Sequence, residues 1–148
     1  MELKAKLESD LKEAMRAGDD VKKRTLRMAL ASSKMTEIEK GSRMDDQGMM
    51  SIIQKEIKSR RESIQDAQKA NRPDLEAASL SEIAVLESYL PAPLTDSELL
   101  ELVKAVVAEL GAAGQADMGR VIKAAMSRVQ GRAPGDRVSQ AVRAALQK

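Results

Sequence analysis

The sequence predicts an all-α fold: an N-terminal helical domain of about four helices, a proline-containing linker, and a small C-terminal domain of three helices. Three observations predict it. Tyr89 is the only aromatic residue in 148, so any core must be built from Leu, Ile, Val, Met and Ala, residues that suit helix–helix packing. Charged residues make up 32% and apolar ones 43%, and the apolar ones recur at helical spacing, as in helices that bury one stripe and wet the other. The four prolines and eight glycines fall in clusters, as punctuation between helices does.

Taken in order, Leu3, Leu7, Leu11 and Met15 recur every four residues and mark a first helix over residues 2–17. Gly18-Asp19-Asp20 ends it, and Asp20 is placed to cap the second helix, which runs to Gly41. The run Leu26 to Ala31 is nearly continuous apolar surface and is expected in the middle of the core. Residues 42–48 read as a polar loop. A third helix is expected over about 49–70, with Ile52, Ile53, Ile57 and Ile64 inside and Lys55, Lys58, Arg60 and Arg61 along its flanks. Asn71-Arg72-Pro73 breaks the chain. Pro73, Asp74 and Glu76 suit the start of a fourth helix, continued by Leu75, Leu80, Ile83, Leu86, Tyr89 and Leu90 to Pro91.

Pro91-Ala92-Pro93 is the clearest linker, because neither proline can continue a helix. It divides the chain into domains 1–92 and 93–148. Thr95 and Glu98 form a capping box for a fifth helix up to Leu110. A sixth is expected over roughly 117–130 and a last over 137–147, with Gly131 to Asp136 as the turn between them. Of the nine methionines, Met28, Met118 and Met126 are expected as gap-fillers on apolar faces, and the pair Met49-Met50 is the one to watch for exposure.

The composition excludes much chemistry. Without cysteine there is no disulfide or thiolate, and without histidine the commonest general base and zinc ligand are gone. The pairs Asp19-Asp20 and Asp45-Asp46 stand at helix starts, where capping accounts for them. Ser32, Ser33 and Lys34 are adjacent on a helix and do not face one another as a catalytic pair must. No glycine loop with a following Lys-Ser/Thr pair is present to cradle a phosphate. The expectation is a chain with no catalytic, cofactor or metal site. The start Met1-Glu2-Leu3-Lys4 lacks a secretory apolar run and no stretch reaches membrane-spanning length, so a cytoplasmic location is expected.

Charge points to a partner. From Gly111 to Lys148 seven Lys/Arg stand against Asp117 and Asp136, a balance of +5, while residues 1–110 hold 18 basic and 21 acidic side chains, a balance of −3. A compact basic region attracts polyanions. Gly131-Arg132-Ala133-Pro134-Gly135-Asp136-Arg137 sets two guanidiniums beside a helix start, Arg120 and Lys123 share a face, and Arg128 ends the same helix. Such a surface tracks a folded RNA by phosphate and shape, having no aromatic platform for stacked bases. The competing reading of the same residues is a tight interhelical turn with solubilising charge.

Several motifs, in order, resemble the YqeY family: Leu26-Arg27-Met28 through Glu37-Ile38-Glu39, the run IQKEIKSRRESI at 53–64, Glu82-Ile83 with Leu86-Glu87, Tyr89-Leu90-Pro91, Asp117 to Val121, and Gly131-Arg132-Ala133. That family is similar to the C-terminal tail of the B subunit of the tRNA-dependent amidotransferase, a carbon–nitrogen ligase with glutamine as amido-N donor, whose catalytic core lies elsewhere in the subunit. The resemblance implies a helical domain followed by a smaller tRNA-facing one, with Gly119, Arg120, Lys123, Gly131 and Arg132 at the RNA. The partners it implies are tRNA and, beside it, amidotransferase subunits or a tRNA-synthesis enzyme. Pro134 departs from the pattern, standing where the family often has an acidic residue. The alternative from a different class is a protein-interaction adaptor docking through helix 49–70 and the methionine-bearing faces.

Overall fold

A computed structural model describes residues 2–147; Met1 and Lys148, the latter counted in the C-terminal charge, lie outside the described residues. The fold is all-helical, as expected. Among the described residues there are seven α-helices and no strand: α1 Leu3–Ala17, α2 Asp20–Lys40, α3 Asp46–Lys69, α4 Pro73–Glu87, α5 Asp96–Leu110, α6 Met118–Val129 and α7 Gly135–Leu146, with a 3-10 turn at Gln115–Asp117. The chain divides into two compact units, Met1–Leu90 and Pro91–Lys148.

In the N-terminal unit α2 packs against each of α1, α3 and α4, and α3 runs along α4. Leu7, Leu26, Met49, Ile53 and Leu86 are fully enclosed at its centre. Gly18, with φ of +69°, lets α1 close left-handed, and Asp19 rather than Asp20 caps α2 by accepting from the Lys22 amide. Asp45 caps α3 through the Gly48 amide at 2.8 Å, so α3 starts at Asp46, inside the expected loop. A Cβ at Gly48 would meet the Met44 sulfur, so that side chain would have to move.

The expected faces need five corrections. Met15 is exposed: a period of four gains about 40° per step on a helix of 3.6 residues per turn, which rotates the row off the core. Of the run Leu26 to Ala31, Leu26 and Ala29 are buried, but Arg27, Met28 and Ala31 face water. Leu75 and Leu80 are also about half exposed on α4. Met49 is fully buried and Met28 is not, the reverse of the expectation, since α3 turns Met49 inward one turn before Ile53. Arg60, expected on a flank, is 5% exposed and lies within the packing of α2, α3 and α4.

In the C-terminal unit Val103, Val106, Val121, Val129, Val138 and Val142 make a core of β-branched side chains, closed by Leu94, Leu99 and Leu146. Thr95 caps α5 by accepting from the Glu98 amide at 3.1 Å. Gln130 and Gly131 both have positive φ, 49° and 80°, and turn the chain out of α6. Pro134 is then extended and α7 begins at once at Gly135, two residues before the expected start.

Candidate nucleic-acid interface

The residues expected at a polyanion lie on α6, the turn after it and the start of α7. Gly119, Arg120 and Lys123 sit on the outer side of α6, whose inner side is fixed by Val121, Ala125 and Val129. Arg120 reaches back to Asp117 at 3.2 Å, an exposed i,i+3 pair. Lys123 projects into solvent. Arg128 clasps Glu109 of α5 through both guanidinium NH2 groups; that hydrogen bonding holds the Glu109 carboxyl below its usual range and raises the arginine. Arg128 therefore serves first as a tie between α5 and α6.

Arg132 and Arg137 are joined to one another through a third segment. Arg132 Nε donates to the Ala92 carbonyl at 2.8 Å, its own carbonyl accepts from the Leu94 amide at 2.8 Å, and its guanidinium lies 3.8 Å from Glu98. Arg137 donates to the Leu94 carbonyl at 3.0 Å and to Asp96 at 2.8 Å. The α6–α7 turn thus fastens the extended segment that leads into α5, and Leu94 is sealed into the core. The tight-turn reading of Gly131 to Arg137 describes this local geometry. Four of the five expected arginines and lysines already have protein partners, and Lys123 stands free of them.

Two exposed cations of this unit were missed, Lys104 on α5 and Arg143 on α7. Arg143 lies on the outer side of α7, opposite Val138, Val142 and Leu146. The signal was available in the i, i+4, i+7 spacing of Asp136, Gln140 and Arg143.

The N-terminal unit holds the most elaborate polar cluster, and it is closed. Arg60 donates to Glu82 at 2.8 Å and Glu56 at 2.7 Å, and touches the Met28 sulfur at 3.5 Å. Ser32 donates to the other Glu56 oxygen and Arg24 to the other Glu82 oxygen, at 2.9 and 3.0 Å. Two cations balance two carboxylates, with each carboxylate oxygen occupied. Glu37 similarly binds Lys4 at 2.5 Å and the Met44 amide at 2.7 Å; the lysine first and the amide second hold its carboxyl below the usual range. Tyr89 donates to Asp10 at 2.6 Å, and burial first, then that bond, push the phenol up. The quoted motif residues Glu37, Glu56, Arg60, Glu82 and Tyr89 are joints of the helical frame. No group of three or more acidic side chains among the described residues is arranged to hold a metal ion.

An all-helical chain of two units, the second showing exposed cations on α6 and α7, is the class that this geometry defines. The sequence profile of the family described as Yqey-like protein matches residues 4–146, and the chain belongs to that family. Curated relatives carry the name Altered inheritance of mitochondria protein 41, mitochondrial. The protein of that name from Vanderwaltozyma polyspora is 40% identical over 85 residues, covering 57% of this chain and 46% of its own. The Lachancea thermotolerans protein is 39% identical over 87 residues, covering 58% and 46%. The Pyrenophora tritici-repentis protein is 33% identical over 131 residues, covering 86% and 71%. The chain thus matches about half the length of the first two. A cytoplasmic location does not stand beside relatives named as mitochondrial. The criterion behind it was too narrow: a missing apolar run speaks to secretion, whereas mitochondrial leaders are amphipathic and Arg-rich. No described helix is long and apolar enough to cross a membrane.

Proposed function

We propose that this YqeY-like chain is a tRNA-binding accessory module, related by family to the tail of the tRNA-dependent amidotransferase and without an amide-transferring site of its own. The observation that carries the reading is the display of charge in the C-terminal unit. Lys123 and Arg143 are exposed on α6 and α7, with Arg120 exposed one turn before Lys123; the segment from Gly111 to Lys148 has a balance of +5, within a unit of eight basic and six acidic side chains whose balance is +2. Arg132 and Arg137 act there as positioning residues, fixing the turn between those helices. The unit contains no aromatic side chain, so its contacts are to phosphate and to the shape of a folded RNA.

The test is titration of bulk tRNA at several salt concentrations with the whole chain, with residues 1–90, and with Lys123→Glu/Arg143→Glu. Binding by the whole chain should fall steeply with salt, because phosphate contacts release counterions. Each cation removed should lower the salt slope by roughly one. A flat salt dependence, or no binding at low salt, overturns the reading. Equal binding by residues 1–90 moves the site to Lys55 and Lys58 on α3. Purified chain alone should form no amide on charged tRNA.

The adaptor alternative has less to stand on in α3 than the sequence promised. Met49, Ile52, Ile53 and Ile57 are all consumed by the core, so its apolar side is covered.

A further inference from the structure

One helix of the N-terminal unit keeps a row of large apolar side chains in water. On α2, Met28 is 50%, Met35 62% and Ile38 72% exposed, and Ala31 between them is exposed as well. The steps of three, four and three residues keep them on one stripe about 15 Å long. The other side of α2 is already used, with Leu26, Ala29 and Ser33 buried. Single exposed methionines are ordinary, but three large side chains in register form a seam.

The charges beside the seam decide what covers it. In a heptad reading Met28 and Met35 take the a positions and Ala31 and Ile38 the d positions, with Arg27 and Lys34 at g and Ser32 and Glu39 at e. Lys34 and Glu39 are both exposed, and neither makes an ion pair with another described residue. Arg27 touches only the Met15 sulfur, at 3.9 Å. Arg24, which falls on the preceding d position, is drawn aside to Glu82, so the seam begins at Met28.

A parallel pair of such helices sets each g position against the e position five residues further along its neighbour. Lys34 then meets Glu39 of the second copy, twice by symmetry, and Arg27 meets a neutral serine. An antiparallel pair sets g against g and forces Arg27 and Lys34 onto cations. Alanine at d lets the backbones approach, and methionine at a adapts to the gap. An RNA would find thioethers where its phosphates need cations.

We propose that α2 pairs in parallel with α2 of a second copy of this chain, forming an isologous homodimer through Met28, Ala31, Met35 and Ile38. The seam spans two heptads, short of the roughly three to four that identify a free-standing coiled coil, so the dimer forms at high concentration and parts on dilution.

Sedimentation equilibrium of the full chain, from micromolar to near-millimolar concentration, tests this. The mass should rise to twice that of the monomer. Ile38→Glu should leave a monomer throughout with an unchanged helical circular dichroism spectrum, since the side chain is exposed. Lys34→Glu should weaken association and Lys34→Glu/Glu39→Lys restore it. The chain has no cysteine, so Ala31→Cys should give a disulfide-linked dimer on oxidation. A monomer at every concentration overturns the proposal, as does a dimer indifferent to Ile38→Glu. So does crosslinking between Met28→Cys and Ile38→Cys chains in a mixture, which requires the antiparallel register. Binding to phosphatidylserine–phosphatidylcholine vesicles by a chain that never dimerises would assign the face to lipid instead.

Discussion

Arg60 in the N-terminal unit and Arg132 in the C-terminal unit both hold helices together, by different means. Arg60 is enclosed and spends its charge on Glu56 and Glu82, whose other oxygens are taken by Ser32 and Arg24. Arg132 stays half in solvent, and its closest acceptor is the neutral Ala92 carbonyl, with Glu98 further off at 3.8 Å. A carboxylate fixes a guanidinium and neutralises it. A carbonyl fixes it and leaves most of its field in place. Arg132 can therefore hold its turn and still add to a basic surface, whereas Arg60 vanishes electrostatically.

The comparison breaks first at Arg60. Arg60→Met leaves Glu56 without a cation and Glu82 with Arg24 alone, both largely buried, and loss of one partner of a buried pair costs about 3–5 kcal/mol. Urea denaturation followed by helical circular dichroism should show that loss in the N-terminal unit. Arg60→Met/Glu56→Gln/Glu82→Gln should recover part of it, because the uncompensated charge is gone. Full stability in the single variant would mean that water reaches the cluster.

A smaller effect is expected at the other pole. Arg132→Ala and Arg137→Ala each remove a hydrogen bond to a main-chain carbonyl, at about 1–2 kcal/mol each. Amide hydrogen exchange should report the Leu94 N–H, which the Arg132 carbonyl holds, as faster in both variants. Arg132→Lys should restore it incompletely, since an ammonium lacks the planar fork.

The smallest effect is a titration. Glu37 has its folded pKa depressed by Lys4 and the Met44 amide. Its stabilisation is thus present above the ordinary glutamate pKa and lost as pH falls through the depressed folded value. Melting temperature measured from pH 6 down to pH 3 should fall, and should fall less steeply in Glu37→Gln. Parallel profiles would show that other carboxylates control acid unfolding.

How legible this was depended on whether the cue was local. The helix bounded by Thr95 and Gly111 could be read from its own ends, because capping hydrogen bonds and a left-handed glycine act within a few residues. The family motifs were legible too, but not what they do. Nothing near Arg60 in the chain distinguishes it from Arg61, which is exposed; the difference is made by Ser32, Met28 and Glu82 arriving from other helices. The same holds for Arg132: nothing in the Gly-Arg turn shows that its Nε is held by a carbonyl 40 residues earlier. Met28 and Met49 exchanged places because a helix of mixed polarity leaves its rotation to the neighbours.

The fastening of Ala92 and Leu94 by the α6–α7 turn also redraws where the molecule can be cut. A fragment starting at Thr95 would keep every residue of α5, α6 and α7, and would look complete by its helices. It would lose Leu94 from the core, release Arg132 Nε from the Ala92 carbonyl and leave Arg137 to Asp96 alone. Such a fragment would be looser than the parent, with an opened core at one edge. The transferable piece, for grafting or for isotope-labelled work on the smaller half, begins at Pro91.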